Sequence, residues 1–446
     1  MSRPVVALVG RTNVGKSTLL NRILGVRHAV VDDRPNVTRD RIIVPIMMGG
    51  RDVLVVDTGG WGMDSASELD LKVRRQAETA ISQADVILLV VSAPDGVIPS
   101  DEEAASLVRS TGKKCVLVVN KVDHVLHQTL VADFHRLGLD TVVAVSALHN
   151  RGIEELIDAV VGLLPPTEPP APFVAGTIRL AIVGRPNAGK STLLNALVGD
   201  ERAIVDATPG TTRDPLDAEL LWQGKPLILV DTAGIRKKSR VDYGIDYFSV
   251  LRALQSIDRC DVALLVLDAT EPATAQDVTI ARYVREAGRG LILVVNKWDL
   301  VPPDYRDAHR DWMKRRLEFL SFVPVLHVSA KQRRHVRSVL QKAFEVAEAR
   351  RQKIARSTVD AAIAESVQRH PPPRVGTRRL DIVWAHQDDT EPWKFVLHVN
   401  DPALVPPNYV RFLEHDIRRH FGFNGVPLLF DIVPAGRRKR VKEVTA

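Results

Sequence analysis

The 446-residue sequence predicts an α/β protein: two mostly parallel sheets, each with helices on both faces, followed by a small α+β domain. Three observations carry this reading. Short landmarks recur in the same order at a nearly constant offset. Within each repeat, apolar runs of strand length alternate with helical patterns, as parallel strands joined by crossover helices require. After the second repeat that alternation is replaced by a different pattern.

GRTNVGKSTLLN begins at Gly10 and GRPNAGKSTLLN at Gly184, and 184 − 10 = 174. TRD at Thr38 and Thr212, and DTGG at Asp57 against DTAG at Asp231, keep the offset of 174. NKVD at Asn120 and NKWD at Asn296 are 176 apart, and Ser146-Ala147 and Ser329-Ala330 are 183 apart. A period this long marks a duplicated domain, not a solenoid. In the first repeat the spacing predicts strands over Val5–Val9, Val53–Val56, Val86–Val91, Cys115–Val119 and Val142–Val145. Helices are predicted over Lys16–Leu24, Leu69–Gln83 and Ile153–Leu163. Between the repeats, Pro165 to Pro172 holds five prolines in eight residues and reads as an extended spacer. Beyond the second repeat, a helix over about Val336 to Ala355 leads to strands over Leu380–Trp384, Lys394–Asn400 and Leu428–Val433, with a helix over Tyr409–Phe421. The tail Gly436 to Arg440 reads as disordered.

Composition is that of a globular chain, 45% hydrophobic and 26% charged. The two cysteines, Cys115 and Cys260, each adjoin an apolar run and read as small core residues. They cannot form a disulfide framework or a zinc site, which points to a reducing compartment. No apolar run has the roughly 18 residues of a membrane span, and no signal peptide precedes Val5, so a cytoplasmic protein is expected. The net charge of +7 is uneven. From Arg351 onward 16 Lys+Arg face 11 Asp+Glu, a balance of +5, which hints at a polyanionic partner there.

Each G-x-x-x-x-G-K-S string follows an apolar strand and opens a helix, the context that makes it a phosphate-binding P-loop. The loops are Gly10, Arg11, Thr12, Asn13, Val14, Gly15, Lys16, Ser17, Thr18 and Gly184, Arg185, Pro186, Asn187, Ala188, Gly189, Lys190, Ser191, Thr192. Backbone N–H groups and the helix N-terminus face the phosphates. Lys16 and Lys190 are expected to act catalytically on the β/γ-phosphates, and Ser17 and Ser191 to place a hydroxyl on Mg²⁺. Thr38 and Thr212 sit where a switch threonine ligates Mg²⁺ and senses the γ-phosphate. Asp57 and Asp231 end apolar strands and should hold Mg²⁺ through water, with Thr58-Gly59-Gly60-Trp61 and Thr232-Ala233-Gly234-Ile235 bringing backbone to the γ-phosphate. Guanine is selected over adenine at Asn120-Lys121-Val122-Asp123 and Asn296-Lys297-Trp298-Asp299. Asp123 and Asp299 can each accept two hydrogen bonds, from guanine N1–H and the 2-amino group; adenine offers neither donor. The asparagines should brace the P-loop, the lysine stems should pack on the ring, and Ser146-Ala147 and Ser329-Ala330 should bring a backbone N–H near guanine O6. These motifs make the repeats two tandem P-loop G domains that bind GTP and GDP and hydrolyse GTP. The glutamine that orients water in Ras-like enzymes is replaced by Trp61 and Ile235. An RNA-binding scaffold whose G domains switch with negligible turnover therefore stays open as an alternative.

These tandem motifs, with a small C-terminal domain, closely resemble the bacterial ribosome-assembly GTPase family Der, also called EngA. The resemblance extends to AHQ (Ala385 to Gln387), VNDP (Val399 to Pro402) and FGFNGVP (Phe421 to Pro427), which look like that family's KH-like domain. It extends also to Ile235 to Lys238 and Phe248 to Ala253. The resemblance implies GTPase activity, association with the large ribosomal subunit and a role in that subunit's maturation. The basic C-terminal balance, Arg437 to Arg440 and Arg236 to Lys238 make rRNA the expected contact. No lipidation motif or basic amphipathic helix supports a membrane partner, and a monomer is expected. In related G proteins lacking the glutamine, the P-loop asparagine, here Asn13 and Asn187, coordinates a K⁺ that assists catalysis. The expected divisions are a first G domain at 1–164, a linker at 165–175, a second G domain at 176–352, a KH-like domain at 353–436 and a basic tail at 437–446. Three positions depart from the family pattern: Thr12 replaces a proline, Asn36 a glycine, and Lys331 to Arg334 stand where a glycine is usual. The loop beyond Ala330 is therefore expected to be rebuilt. KH-type clamping of a nucleic-acid backbone is not expected of the C-terminal domain.

Overall fold

The structure, a computed structural model, describes residues 3–25, 43–58, 77–78, 80–166, 176–199, 203–205, 217–232, 246–375, 378–389 and 394–435. The chain divides into two compact units, one built on the first repeat and the other on the second repeat with the C-terminal segment.

The first unit runs β1 (Val5–Val9), α1 (Lys16–Gly25), β2 (Ile43–Met48), β3 (Arg51–Asp57), β4 (Val86–Ser92), α2 (Pro99–Ser110), β5 (Lys114–Asn120), α3 (Val125–Leu130), β6 (Thr141–Ala144) and α4 (Ile153–Leu163). The sheet order is β2-β3-β1-β4-β5-β6. All neighbours are parallel except β2 and β3. β1 and β4 are buried at every residue, as unbroken apolar runs covered on both faces must be. Three elements had no clear sequence signal: β2, α2 and the six-residue α3. β2 contains Pro45, which is tolerated because β2 is an edge strand. α2 buries Ala104, Ala105 and Val108, side chains too small to print a strong apolar period. Of the helix expected over Leu69–Gln83, residues 77–78 and 80–83 are described and helical.

The second unit repeats this plan with β7 (Ile178–Val183), α5 (Lys190–Val198), β8 (Ala203–Val205), β9 (Ala218–Trp222), β10 (Lys225–Val230), α6 (Asp246–Arg259), β11 (Val262–Asp268), α7 (Ala275–Glu286), β12 (Gly290–Asn296), α8 (Arg306–Arg316), β13 (Val325–His327) and α9 (Val336–Arg351). Its seven strands are ordered β13-β12-β11-β7-β10-β9-β8, the last two added antiparallel.

The helix expected to reach Ala355 ends at Arg351, and a second helix, α10 (Arg356–Arg369), follows. Gln387 makes the break. Its Oε1 accepts from Ile354 N at 2.8 Å and its Nε2 donates to Gln352 O at 3.0 Å, satisfying backbone groups the helices leave over. After the short pair β14 (Arg374–Val375) and β15 (Arg378–Arg379) come β16 (Ile382–Gln387), β17 (Phe395–Val399), α11 (Pro407–Phe421) and β18 (Phe430–Pro434). β17 is central, antiparallel to β16 and parallel to β18. This small α+β domain shares one apolar core with the second sheet, from Ile178 and Leu264 through Val346 to Phe395, Leu413 and Phe423. The FGFNGVP string forms the joint: Gly425 N donates to Phe322 O at 2.8 Å and Leu291 N to Gly425 O at 2.7 Å. Cys260 is buried and Cys115 half-buried; burial pushes both thiols up to about 12. Among the described residues no helix is long and apolar enough to cross a membrane.

Candidate nucleotide sites

Both P-loops lie at the C-terminal ends of the central parallel strands, β1 and β7, where open α/β sheets place their ligands. Asn13 and Asn187 adopt left-handed backbone, φ 63° and 62°, which asparagine accepts more readily than most residues. Gly15 and Gly189 stand against the side-chain amides of Asn120 and Asn296, where a Cβ would collide with Nδ2. Lys16 Nζ donates to Gly10 O at 2.8 Å and Arg11 O at 2.7 Å. Lys190 Nζ does the same to Gly184 O at 2.8 Å and Arg185 O at 2.6 Å. Burial lowers both lysines to about 8; Asp57 partly opposes this at Lys16 and Asp277 at Lys190. Arg11 turns outward to Asp95 and lies 3.6 Å from Asp101, and Arg185 turns to Glu271, 4.0 Å from Asp268. These arginines tie the P-loop to the segment following the neighbouring strand, while their carbonyls accept from the P-loop lysines.

Asn120 links the two halves of the first site. Its Nδ2 donates to Val14 O at 2.8 Å and its Oδ1 accepts from Ala147 N at 3.1 Å. Asn296 does likewise, to Ala188 O at 3.0 Å and from Ala330 N at 3.0 Å. The asparagines therefore brace the P-loop as expected, and they also hold the backbone N–H groups of Ala147 and Ala330. Ser146 Oγ donates to Asp123 Oδ1 at 2.5 Å. Ser17 Oγ donates to Asp57 Oδ2 at 3.2 Å, so the expected hydroxyl and carboxylate Mg²⁺ groups of the first site adjoin. In the second site Asp231 has φ 56° and accepts from Ser256 Oγ at 3.4 Å. Thr58 and Thr232 are buried, and Thr58 Oγ1 donates to Leu8 O at 2.8 Å. Thr38, Gly59, Gly60, Trp61, Thr212, Ala233, Gly234, Ile235, Asn36, Arg236 to Lys238 and the basic tail lie outside the described residues.

The repeats differ in detail that their shared motifs conceal. Lys297 Nζ pairs with Asp268 Oδ2 at 2.5 Å; the residue aligned with Asp268 across the sheet is Ser92 in the first repeat. Burial alone would raise Asp268, but Lys297 and Thr270 outweigh it and hold the carboxyl below its usual range. Val122 is buried, whereas its counterpart Trp298 packs its ring 4.1 Å from His327 and 5.2 Å from His309. Burial, with Arg310 and His309, pushes His327 down to about 4, so it is neutral beside Trp298 at pH 7. The loop beyond Ala330 is not rebuilt in its backbone: Ser146 bridges Arg151, and Ser329 bridges Arg334 in the same way. What changes is the helix entry, where His335 at φ 57° stands in the place of Gly152 at φ 70°.

A family of 50S ribosome-binding GTPases matches residues 5–121 and 179–297. The KH-domain-like C-terminal family of EngA bacterial GTPase enzymes matches residues 353–432. The chain is 44% identical over 440 residues to the GTPase Der of Caldanaerobacter subterraneus subsp. tengcongensis, covering 98% of this chain and 100% of that protein. It is also 44% identical over 445 residues to the GTPase Der of Pelotomaculum thermopropionicum, covering 99% and 100%. Two P-loop domains of the same plan, a C-terminal KH-like domain and full-length similarity to these relatives agree, and the chain belongs to the Der (EngA) family of GTP-binding, GTP-hydrolysing proteins.

Proposed function

We propose that the nucleotide state of the two G domains controls association of the protein with the large ribosomal subunit, through its rRNA, during that subunit's maturation. The observation that carries this reading is the continuity of each site. One asparagine joins the P-loop to the base-recognition loop, so phosphate and base are held by a single bonded unit. Asp123 and Asp299 then read guanine. Ser17 beside Asp57 supports Mg²⁺ at the first site, with Thr38; Ser191, Thr212 and Asp231 are its counterparts at the second. Mg²⁺ held by these groups would neutralise phosphate charge, and Asn13 and Asn187 would hold a K⁺ supplying the positive charge that an arginine finger gives elsewhere. The divisions at 164, 175, 352 and 436 describe the working domains, and the monomer is the working form.

The ribosomal reading is supported by the matched family's description as ribosome-binding GTPases and by the +5 balance after residue 350. Contacts of this kind are mainly to phosphates and weaken steeply with salt. Sedimentation of the full chain with large subunits, in a non-hydrolysable GTP analogue and in GDP, tests it. Pelleting should depend on the γ-phosphate and fall with salt; equal pelleting in both states refutes nucleotide control. Turnover should be faster in K⁺ than in Na⁺ at matched ionic strength, and equal rates remove the K⁺ role.

A further inference from the structure

The two base-recognition loops are held from opposite sides. In the first repeat Arg22, in the C-terminal half of α1, donates from Nε to Ala147 O and from Nη2 to Leu148 O, both at 2.9 Å. These carbonyls directly follow Ser146, whose hydroxyl holds Asp123, and the Ala147 N–H is held by Asn120. One guanidinium thus fastens the loop that positions both the base-reading carboxylate and the P-loop brace. Charge-assisted bonds to two consecutive carbonyls leave that loop little freedom.

The counterpart of Arg22 in the second repeat is Ala196, since 22 + 174 = 196. A methyl group cannot cross to the loop, and a cavity of about 510 Å³ lies there, lined by Ala196, Gly199, Arg333, His335 and Val336. Arg333 reaches back from the loop side, but its Nη1 stays 3.4 Å from Gly199 O. Asp299 has Gln332 Nε2 at 3.5 Å, against 2.5 Å for the Ser146 bond to Asp123. Both second-repeat contacts sit at the outer limit of a hydrogen bond.

We propose that Arg22 is a positioning residue for guanine recognition at the first site, and that Ala196 leaves the second base-recognition loop without the equivalent brace. This rests on reading Asp123 and Asp299 as the guanine-binding carboxylates. A fastened loop is pre-organised for the base, and losing pre-organisation shows mainly as faster release.

The test uses the full chain with the two sites made distinguishable. Asp299→Asn should turn the second site to xanthosine nucleotide, so that fluorescent GDP reports the first site alone; Asp123→Asn does the converse. In the Asp299→Asn chain, adding Arg22→Ala should speed GDP release about tenfold, the loss of roughly one charged hydrogen bond. Because Asp123 is held through Ser146, the preference for GDP over IDP, which lacks the 2-amino group, should fall as well. Arg22→Lys should recover part of both effects, and millimolar free guanidinium should slow release from Arg22→Ala. In the Asp123→Asn chain, Ala196→Arg should slow GDP release from the second site. Unchanged release and unchanged GDP-over-IDP preference in Arg22→Ala overturn the proposal. If that variant fails to fold, judged by thermal melting, Arg22→Lys and Ala196→Arg decide: unchanged release in both overturns it. If Asp299→Asn leaves GDP on the second site, the guanine reading itself fails and takes the proposal with it.

Discussion

Raising the pH from 7.0 to 8.5 should make nucleotide binding take up protons at both P-loops. In the nucleotide-free protein, burial holds Lys16 and Lys190 at about 8, against an ordinary value of 10.5. Each lysine is then about 10% neutral at pH 7.0 and about 75% neutral at pH 8.5. Phosphates beside the ammonium restore the charged form, so uptake should climb from about 0.1 to about 0.75 proton per site. Only the charged lysine binds well, so affinity should weaken about fourfold per site across this range, or about 0.8 kcal/mol. Titration calorimetry with GDP and Mg²⁺, in two buffers of different ionisation enthalpy, measures the uptake directly. Lys16→Met or Lys190→Met should each remove one site's share. Heats that do not depend on the buffer at pH 8.5 would refute the reasoning, because they would mean that both lysines are fully charged before the nucleotide arrives.

The same burial has a cost in the empty protein. Lys16 is lowered in the fold, so the unfolded chain binds more protons between about pH 8 and 10.5; this lysine's contribution to stability improves as pH rises through that window, and its penalty is complete below pH 8. Lys16→Met should therefore raise the nucleotide-free stability of the first unit at pH 7 by about 1–3 kcal/mol, measured by urea unfolding, while abolishing GTP binding there. Gly425→Ala should destabilise the second unit by about 2–4 kcal/mol, because φ is +76° and a Cβ would lie 2.6 Å from Val346 Cγ2 and 3.1 Å from Leu291 O. An unchanged urea midpoint would remove Gly425 from the joint between the second sheet and the C-terminal domain. Asp416 has a side chain only 3% exposed; burial would raise its carboxyl, but Ser366 Oγ and Arg369 Nη1, the latter at 2.8 Å, outweigh this and hold it below 3.8. Asp416→Ala should cost about 2–4 kcal/mol at pH 7, and that difference should shrink in acid as the carboxylate protonates in the wild-type protein.

The sequence by itself determined the duplication, the sheet class and the placement of the phosphate and base motifs. P-loops and base loops are local: a few residues of fixed type must sit at fixed spacing, and the strand that presents them is an apolar run. Nearly every strand written from the first repeat lies where it was expected, because a strand buried on both faces, such as Val86–Ser92, has no other reading. Elements without that signal were missed: β2, whose Pro45 argues against a strand except at an edge, and α10, whose buried face of Val359, Ala362 and Ile363 is short and rich in small residues. Only the tertiary structure showed how the sites are supported. Arg22 and Ala147 are 125 positions apart, and Lys297, just past the end of β12, is 29 from Asp268 at the end of β11. Neither pair follows from a motif, because a hydrogen bond across the fold depends on where two backbones meet, not on the spacing along one. The repeats share the P-loop and NKxD signature residues and differ behind them. Packing decides which differences matter there, and a periodic reading of either repeat alone cannot reach them.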